Sequence, residues 1–315
     1  MEVAWVGLCG SDLEEWRHGP VVIEPGVILG HEIAGIVAVP ARDGSGPGIG
    51  ARVVVDVVTG CGQCFHCRHH EEGRCSHLLV TGQQIDGGLA EYVVGRADRL
   101  IEVPPRVPLR TAALSEPLAV AVRAVRRSGL DIGATLLVIG GGTVGALVAQ
   151  VARSVGAHEV AVVEPDPERY ALLARFGATP LWAEDSAELA DRVRRVMPER
   201  GADILIEAAG APGVLSRAVS LVRPGGRIVL LGVSAEQELL DTLEVVLKEK
   251  TLIGSAAHMW DDDVAVAVGL LGSATVEVEP LISEAVSLED AALAFERLDE
   301  GRPPWKMLVR ISGQE

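Results

Sequence analysis

The sequence of 315 residues is poor in aromatic side chains, in cysteine and in positive charge. Aromatic residues make up 3% of the chain, and 28 Lys and Arg face 44 Asp and Glu, which gives a formal net charge of −16. Nucleic-acid binding needs a basic face, so this charge argues against it. The scarcity of aromatics beside 36 glycines is typical of close-packed α/β layers.

Long hydrophobic runs and targeting segments are also lacking. The most apolar stretch, residues 135–152, is interrupted by Gly140, Gly141, Gly142 and Gly145, which argues against a helix that spans a bilayer. The N-terminus has no basic start followed by an apolar core, as a secretory signal would have. We therefore expect a cytosolic protein with neither a membrane nor a nucleic acid as its partner.

Four of the five cysteines form the series Cys61-x2-Cys64-x2-Cys67-x7-Cys75. Four closely spaced thiolates can hold one tetrahedral Zn²⁺ in a closed, structural site. Two disulfides are the alternative, but the chain is long and shows no secretory signal. The loop at residues 60–76 is mostly polar, so a bound metal would supply the folding energy that apolar burial cannot.

The fifth cysteine, Cys9, is followed 22 residues later by His31 and then by Glu32. A cysteine, a histidine and a carboxylate that leave the fourth position open are typical of a catalytic zinc site. Taken singly, Cys9 would be a small buried residue and His31 a hydrogen-bonded histidine. Their occurrence together beside the four-cysteine series favours a second zinc site.

The hydrophobic pattern changes near residue 120 and indicates two domains, as the length of 315 residues also does. Before this point, short strand-like segments alternate with Gly and Pro turns. The strands predicted there include residues 21–23, 33–39, 52–58 and 90–94. After it, strands alternate with helices, which predicts βαβ units and a parallel sheet.

A glycine-rich turn follows the strand-like residues 135–139 and precedes an apolar helix at residues 144–155. In this context G-x-G-x-x-G predicts a dinucleotide-binding turn, whose glycines permit the tight turn, the approach of a pyrophosphate and the packing of the helix. The free N–H groups at the helix start would face the phosphates. The candidate residues are Gly140, Gly142, Thr143, Val144 and Gly145.

Glu164 ends the next predicted strand, nineteen residues after Gly145. A carboxylate there would accept hydrogen bonds from the adenosine ribose and repel a 2′-phosphate, so we expect NAD(H) rather than NADP(H). The alternative is a solvated acid that caps a helix. Arg169 is close enough to affect this preference, although we interpret it as a helix-surface residue.

In this order, the motifs resemble those of the zinc-dependent medium-chain dehydrogenases, and the resemblance covers essentially the whole chain. The segments that carry it, besides the four-cysteine series and the glycine turn, are residues 9–12, 30–32, 86–92 and 116–121. Glu116-Pro117-Leu118 is similar to the polyol, butanediol and threonine dehydrogenase branch. Residues 19–23 and 247–255 look most like the butanediol dehydrogenases.

The resemblance implies an α/β fold, with a β-rich, GroES-like catalytic domain at residues 1–119 and 262–315 and a Rossmann domain with a doubly wound parallel sheet at residues 120–261. Relatives of this kind have β-strands before the position of Met1. Either the true start codon lies upstream, or the protein is a natural truncation, which would expose a sheet edge and lower the stability.

The resemblance also implies residue roles. Cys9 and His31 would ligate a catalytic zinc, with either Glu116 or Glu32 as the third protein ligand. Ser11 would start the proton relay from the substrate hydroxyl. The zinc would act as a Lewis acid on an alcohol, whose carbon gives a hydride to the nicotinamide.

Glu14 departs from the pattern, because many relatives carry a histidine five residues after the zinc cysteine. A glutamate can also move a proton, so the relay would run differently. A cationic substrate such as an aminocyclitol would be a second explanation. The third is that Glu14 caps a helix that begins at Ser11 or Asp12 in an S-x-x-E box.

We therefore expect a zinc- and NAD-dependent oxidoreductase that acts on a secondary alcohol or polyol. An NADP-linked carbonyl reductase of the same fold is one alternative, and a zinc- and NAD-binding protein without turnover is another. A homodimer or homotetramer is expected, with Rossmann sheets that pair along an edge near residues 251–256.

Overall fold

The computed structural model describes residues 1–19, 23–198, 201–233, 236–258, 262–300 and 305–314. The chain divides into two compact units, residues 1–119 with 257–315 and residues 120–256. The predicted limits of two independently folding domains, residues 1–119 with 262–315 and residues 120–261, stay a prediction.

The strands are β1 (Glu2–Gly7), β2 (Glu32–Ile36), β3 (Arg52–Val55), β4 (Val58–Thr59), β5 (Leu79–Val80), β6 (Leu100–Glu102), β7 (Thr135–Ile139), β8 (Glu159–Val163), β9 (Thr179–Leu181), β10 (Ala202–Glu207), β11 (Val222–Leu230), β12 (Thr251–Gly254), β13 (Ile282–Ser287) and β14 (Lys306–Arg310). The helices are α1 (Gly10–His18), α2 (Phe65–Arg68), α3 (Leu109–Ala112), α4 (Ser115–Ser128), α5 (Thr143–Ser154), α6 (Tyr170–Arg175), α7 (Ser186–Val196), α8 (Val214–Ala218), α9 (Thr242–Leu247), α10 (Asp263–Gly272) and α11 (Ala291–Asp299). No helix among the described residues combines the length and apolar character that crossing a membrane requires.

The first unit is built on a sheet in the order β13-β14-β1-β2-β3-β6, with β4 and β5 paired separately. β1 lies inside this sheet, antiparallel to β14 on one side and to β2 on the other. Its β-branched side chains Val3 and Val6 pack with Ile33 and Val55 in an apolar cluster. The exposed edge predicted for this unit therefore does not fall at β1, and the edge strands of the described sheet are β13 and β6.

The second unit is built on a parallel sheet in the order β12-β11-β10-β7-β8-β9. Its first strand, β7, lies in the middle, so successive strands are added on one side up to β9 and then on the other from β10 to β12. This is the predicted doubly wound order, and ligands bind where the order of strands reverses, beside β7. β7 is buried along its whole length, as its apolar sequence requires.

Two predicted strands of the first unit differ from the structure. Residues 90–94 form an isolated bridge, Tyr92 to Glu2, and not a strand, although backbone hydrogen bonds also join Val3 to Glu91 and Met1 to Val93. The strand predicted at residues 21–23 lies outside the described residues at positions 21 and 22.

Candidate active site

Three candidate metal ligands converge where β1 and β2 of the first unit meet. Cys9 follows β1 as the N-cap of α1, and His31 precedes β2, which begins at Glu32. The two strands are antiparallel with Gly7 opposite Glu32, so both segments reach the same end of the pair. Ligand atoms of Cys9, His31 and Glu32 all lie within 4.8 Å of one another.

Asp12 supports two of these candidate ligands from the first turn of α1. Its Oδ2 accepts a hydrogen bond of 3.0 Å from the backbone N–H of Cys9, and its Oδ1 lies 3.2 Å from Nδ1 of His31. A carboxylate at Nδ1 leaves Nε2 as the histidine nitrogen that can face a metal. Sequence reasoning gave Asp12 no role, although a buried acid three residues after a candidate cysteine is a signal that could have been used.

The group of Cys9, His31 and Glu32 favours a bound cation. Burial lowers the pKa of His31, but Asp12 and Cys9 outweigh it and raise this pKa well above its ordinary value. Oε2 of Glu32 is buried and has no hydrogen-bond partner among the described residues. Gly7 makes room for it, since a Cβ there would overlap Oε2. A sulfur, a nitrogen and a carboxylate oxygen are donors that Zn²⁺ accepts, so these residues fit the metal.

Glu116 is placed near this group by the first turn of α4. It is buried, and burial, partly offset by His31, raises the pKa of its carboxyl to about 7. Glu116 is not among the residues whose ligand atoms lie within 4.8 Å of one another. The choice between Glu116 and Glu32 as the third ligand stays a prediction.

A buried lysine from β14 neutralises Glu32. Nζ of Lys306 lies 2.6 Å from Oε1 of Glu32 and donates a hydrogen bond of 3.0 Å to the carbonyl oxygen of Leu8. Burial lowers the pKa of Lys306, but Glu32 and Cys9 outweigh it, so this pKa is raised and the ammonium stays charged. Lys306 is 298 residues from Leu8, and no local sequence pattern indicates it.

Glu14 lies on the surface of α1, and its charge is already paired. Its side chain is 58% exposed, and its carboxylate lies 3.1 Å from Arg17 and 3.5 Å from His18. The structure does not bring Glu14 into the group of candidate ligands. The pairing also weakens the idea that Glu14 attracts a cationic substrate.

The predicted capping box between Ser11 and Glu14 is wrong. α1 begins at Gly10, so its N-cap is Cys9, two residues before Ser11, and the carboxylate that reaches back belongs to Asp12. Ser11 lies half-buried in the first turn, two residues after Cys9. Ser11 is thus close in sequence to the candidate ligand Cys9. Its role in a proton relay stays a prediction.

The other four cysteines form a second group around α2. The candidate ligands Cys61, Cys64, Cys67 and Cys75 have sulfurs within 4.8 Å of one another. Sγ of Cys64 lies 3.5 Å from that of Cys67 and 3.7 Å from that of Cys75. These separations exceed the roughly 2.05 Å of a disulfide and approach the ~3.8 Å expected between two tetrahedral ligands at about 2.3 Å from zinc. All five cysteines of the chain are free, so the residues fit a structural zinc.

The loop around these cysteines shifts the pKa values of two of its thiols in opposite directions. Backbone N–H groups of Gln63 and Cys64 lower the pKa of Cys61 to about 6. Burial raises the pKa of Cys67 to about 12. Zinc binds thiolates, so binding would displace the proton of Cys67 and depend on pH.

The predicted dinucleotide turn joins β7 to α5 at the switch point of the second sheet. Gly140 has a φ of 95°, which favours glycine, and a Cβ there would lie 2.8 Å from the backbone of the turn after β10. Gly142 is the N-cap of α5, whose first turn contains Thr143 and Val144. A Cβ at Gly145 would overlap the carbonyl oxygen of Gly140. The turn leaves the N-terminus of α5 for an anionic group, so these residues fit the phosphates of a dinucleotide.

Glu164, directly after β8, holds this turn. Its Oε2 accepts a hydrogen bond of 2.8 Å from the N–H of Gly141, and its Oε1 accepts one of 2.9 Å from the N–H of Asp166. Glu164 is buried and is therefore not a solvated capping acid. Arg169 is not a plain helix-surface residue as predicted, because its Nη1 lies 3.3 Å from Glu164 and would contact a Cβ on Gly142 at 3.5 Å.

Comparison with known proteins agrees with both units. The family model of the alcohol dehydrogenase GroES-like domain matches residues 1–105, and that of the zinc-binding dehydrogenases matches residues 143–273. D-xylulose reductase A from Aspergillus oryzae is 30% identical over 310 residues, which are 96% of this chain and 86% of the reductase.

Solved structures give the same result. Galactitol-1-phosphate dehydrogenase from Escherichia coli superposes with a TM-score of 0.90 at 26% identity, covering 98% of this chain and 91% of that one. A zinc-binding dehydrogenase from Sinorhizobium meliloti 1021, bound to NADP, has a TM-score of 0.89 at 29% identity, with 98% and 91% of the two chains covered.

The chain therefore belongs to the zinc-dependent medium-chain alcohol dehydrogenase family. It is an oxidoreductase of the class that uses zinc and a nicotinamide dinucleotide. The predicted family, α/β fold class and enzyme class are confirmed. The choice of NAD over NADP and the roles of individual residues stay predictions.

Proposed function

We propose that this protein transfers a hydride between a secondary alcohol or polyol and NAD at a zinc site. The convergence of Cys9, His31 and Glu32 within 4.8 Å carries the proposal. Two similar proteins are a D-xylulose reductase and a galactitol-1-phosphate dehydrogenase, and this similarity supports a polyol or diol as the substrate.

The catalytic zinc would be held by Cys9, His31 and either Glu32 or Glu116. When bound, zinc supplies the Lewis acidity that makes an alcohol proton easier to remove. Asp12 fixes the ring of His31, which supports a ligand set arranged before the substrate arrives.

The structural zinc would be held by Cys61, Cys64, Cys67 and Cys75. The closely spaced sulfurs support a closed site with no open position for a substrate. Thiolate ligands need a reducing compartment, which supports a cytosolic location.

Ser11 would accept the proton that the alcohol loses. A hydroxyl is both a donor and an acceptor, so it can take up one proton and pass on another. Glu14 is paired with Arg17 at the helix surface, so the relay would leave Ser11 without passing through Glu14.

NAD would be the preferred cofactor. The support is Glu164, a buried carboxylate that holds the glycine turn and would repel a 2′-phosphate. Arg169 favours the second candidate, an NADP-linked carbonyl reductase, because its guanidinium lies beside the same turn. Comparison of kcat/KM for NAD and NADP decides between them.

The test of the proposed function is NAD⁺ reduction, followed by absorbance at 340 nm, on a panel of vicinal diols, polyols, L-threonine and aminocyclitols. Zinc content is measured on the same sample. We expect turnover of one substrate group and about two zincs per chain. Two zincs and bound NAD without turnover would instead support a non-catalytic protein.

The protein would work as a homodimer or homotetramer. β12 is an edge strand of the second sheet, and α9 before it exposes 66% of Leu243, 71% of Val246 and 72% of Leu247. Pairing of β12 with its copy would extend the sheet and cover apolar side chains. Leu247→Glu should lower the mass measured by sedimentation, whereas Val94→Glu, at an exposed apolar position of the first unit, should not.

A further inference from the structure

A buried histidine of the first unit lies between Glu116 and a second buried carboxylate. The side chain of His258 is 0% exposed, its Nε2 lies 3.8 Å from Oε1 of Glu116, and its Nδ1 lies 3.6 Å from Oδ1 of Asp56. These separations are longer than hydrogen bonds but lie within the range of ion pairs. Each ring nitrogen of His258 therefore faces one carboxylate.

Asp56 is itself held in place. Its Oδ1 accepts a hydrogen bond of 3.2 Å from the N–H of Val58, and its Oδ2 lies 3.3 Å from Nη1 of Arg99. The backbone N–H of Asp56 also donates to the carbonyl oxygen of Arg99 at 2.8 Å. The Nδ1 side of His258 thus faces a carboxylate whose position is fixed by a buried cation.

Glu116 lies among buried charges of both signs. Glu32 and Asp12 are buried acids that repel its carboxylate, while His31 and Lys306 attract it. A buried carboxylate keeps one orientation only if the groups around it hold it there. His258 reaches Glu116 from the direction of Asp56.

We propose that His258 is a positioning residue that orients Glu116 toward the catalytic zinc, and that Asp56 and Arg99 orient His258 in turn. The inference rests on the proposed zinc-dependent function with Glu116 as the third ligand. Groups that hold a metal ligand from behind fix its direction, and their loss costs about 10- to 100-fold in metal affinity. His258 lies outside every motif of the sequence, so only the fold indicates this role.

His258→Asn and His258→Gln form a matched pair for the test. The amide nitrogen of glutamine can take the position of Nε2 and donate to Glu116, whereas that of asparagine reaches only the position of Nδ1. We expect the asparagine variant to lose its catalytic zinc to a chelator about 10- to 100-fold more readily, and the glutamine variant to stay within about threefold of the wild type. Both variants should keep the structural zinc.

Co²⁺ exchanged into the catalytic site gives a readout that needs no turnover. The asparagine variant should shift the visible absorption of the cobalt, because the ligand geometry changes, and the glutamine variant should restore it. A histidine that only fills space would give equal losses of thermal stability in both variants and an unchanged cobalt spectrum. That result would overturn the inference.

Glu116→Gln and Cys9→Ser separate the failure of this inference from that of the proposed function. If both lower the zinc affinity and His258→Asn does not, only the role of His258 is overturned. If only Cys9→Ser lowers it, Glu116 is no ligand, and the inference is overturned while the zinc-dependent function stands. If neither lowers it, the zinc-dependent function itself fails. Should His258→Asn not fold, Asp56→Asn takes its place, with a loss of zinc affinity expected and an unchanged affinity counting against the inference.

Discussion

Lys306 and Glu32 form a buried ion pair beside the candidate zinc ligands, with Nζ 2.6 Å from Oε1 and side chains that are 6% and 0% exposed. Removal of one partner leaves a buried charge without compensation, which costs about 3–5 kcal/mol. We expect Lys306→Met to lower the free energy of unfolding by this amount in the zinc-free protein. Bound zinc supplies a positive charge of its own, so the loss should be smaller in the zinc-loaded protein.

Urea unfolding of the variant, with and without a chelator, measures this difference. Lys306→Arg is the control, because it keeps the cation and should leave the zinc dependence of stability close to that of the wild type. An equal destabilisation of the zinc-free and zinc-loaded Lys306→Met protein would show that the pair acts independently of the metal.

The two cysteine groups are expected to respond differently to substitution. Cys9→Ser removes a ligand of the catalytic site only, so zinc content should fall from about two per chain to about one while the fold persists. Cys64→Ser breaks the group that stabilises the loop around α2 and should unfold this region first. Metal analysis together with circular dichroism measures both effects, and equal unfolding in the two variants would remove the distinction between catalytic and structural zinc.

The candidate ligands could be predicted from the sequence because each lies in a short motif. Cys9, His31 and Glu32 were expected from residue type and spacing, and the register of β1 against β2 explains why they meet. The same register places Gly7 opposite Glu32, which makes room for the carboxylate. Such a pairing is set by long-range strand contacts and cannot be read from one segment alone.

The supporting residues were missed for the same reason. Lys306 reaches the site because β14 pairs with β1, with Leu308 opposite Gly7 at the far end of the chain. His258 lies in a segment without a motif. The error at Ser11 and Glu14 is different, because the capping box lies two residues earlier than predicted, at Cys9 and Asp12.

Cofactor preference should depend on the charge of Glu164. Glu164→Gln keeps one oxygen that can accept the hydrogen bond from Gly141, but an amide nitrogen replaces the oxygen that accepts from Asp166, and the negative charge is lost. The ribose of NAD would then lose its hydrogen bond to a charged carboxylate, and such a bond contributes about 1.5–3 kcal/mol. The kcat/KM for NAD should therefore fall about tenfold or more, and the ratio of NADP to NAD use should rise.

Steady-state kinetics with both cofactors checks this prediction. Glu168→Gln, at an exposed acid four residues after Glu164, is the control and should leave the ratio unchanged. A Glu164→Gln protein that loses stability but keeps its preference would mean that Glu164 only holds the glycine turn.

The free energy of unfolding should depend on the protonation of Asp56 between about pH 4 and pH 6. Burial, partly offset by Arg99, raises the pKa of Asp56 to about 6, above its ordinary value of 3.8. The folded state therefore binds this proton more tightly than the unfolded state. The resulting stability is fully present below the unfolded pKa and is lost as pH rises through about 6.

Asp56→Asn has no such proton, so the wild type should lose about 3 kcal/mol relative to this variant as pH rises from about 4 to 7. Urea unfolding of both proteins across this range measures the difference. Asp98→Asn is the control with the opposite sign, because the hydrogen bond from Arg96 lowers the pKa of Asp98, and its contribution is lost as pH falls. If the wild type instead gains stability over Asp56→Asn as pH rises, the ion pair with Arg99 outweighs the cost of burying the carboxylate.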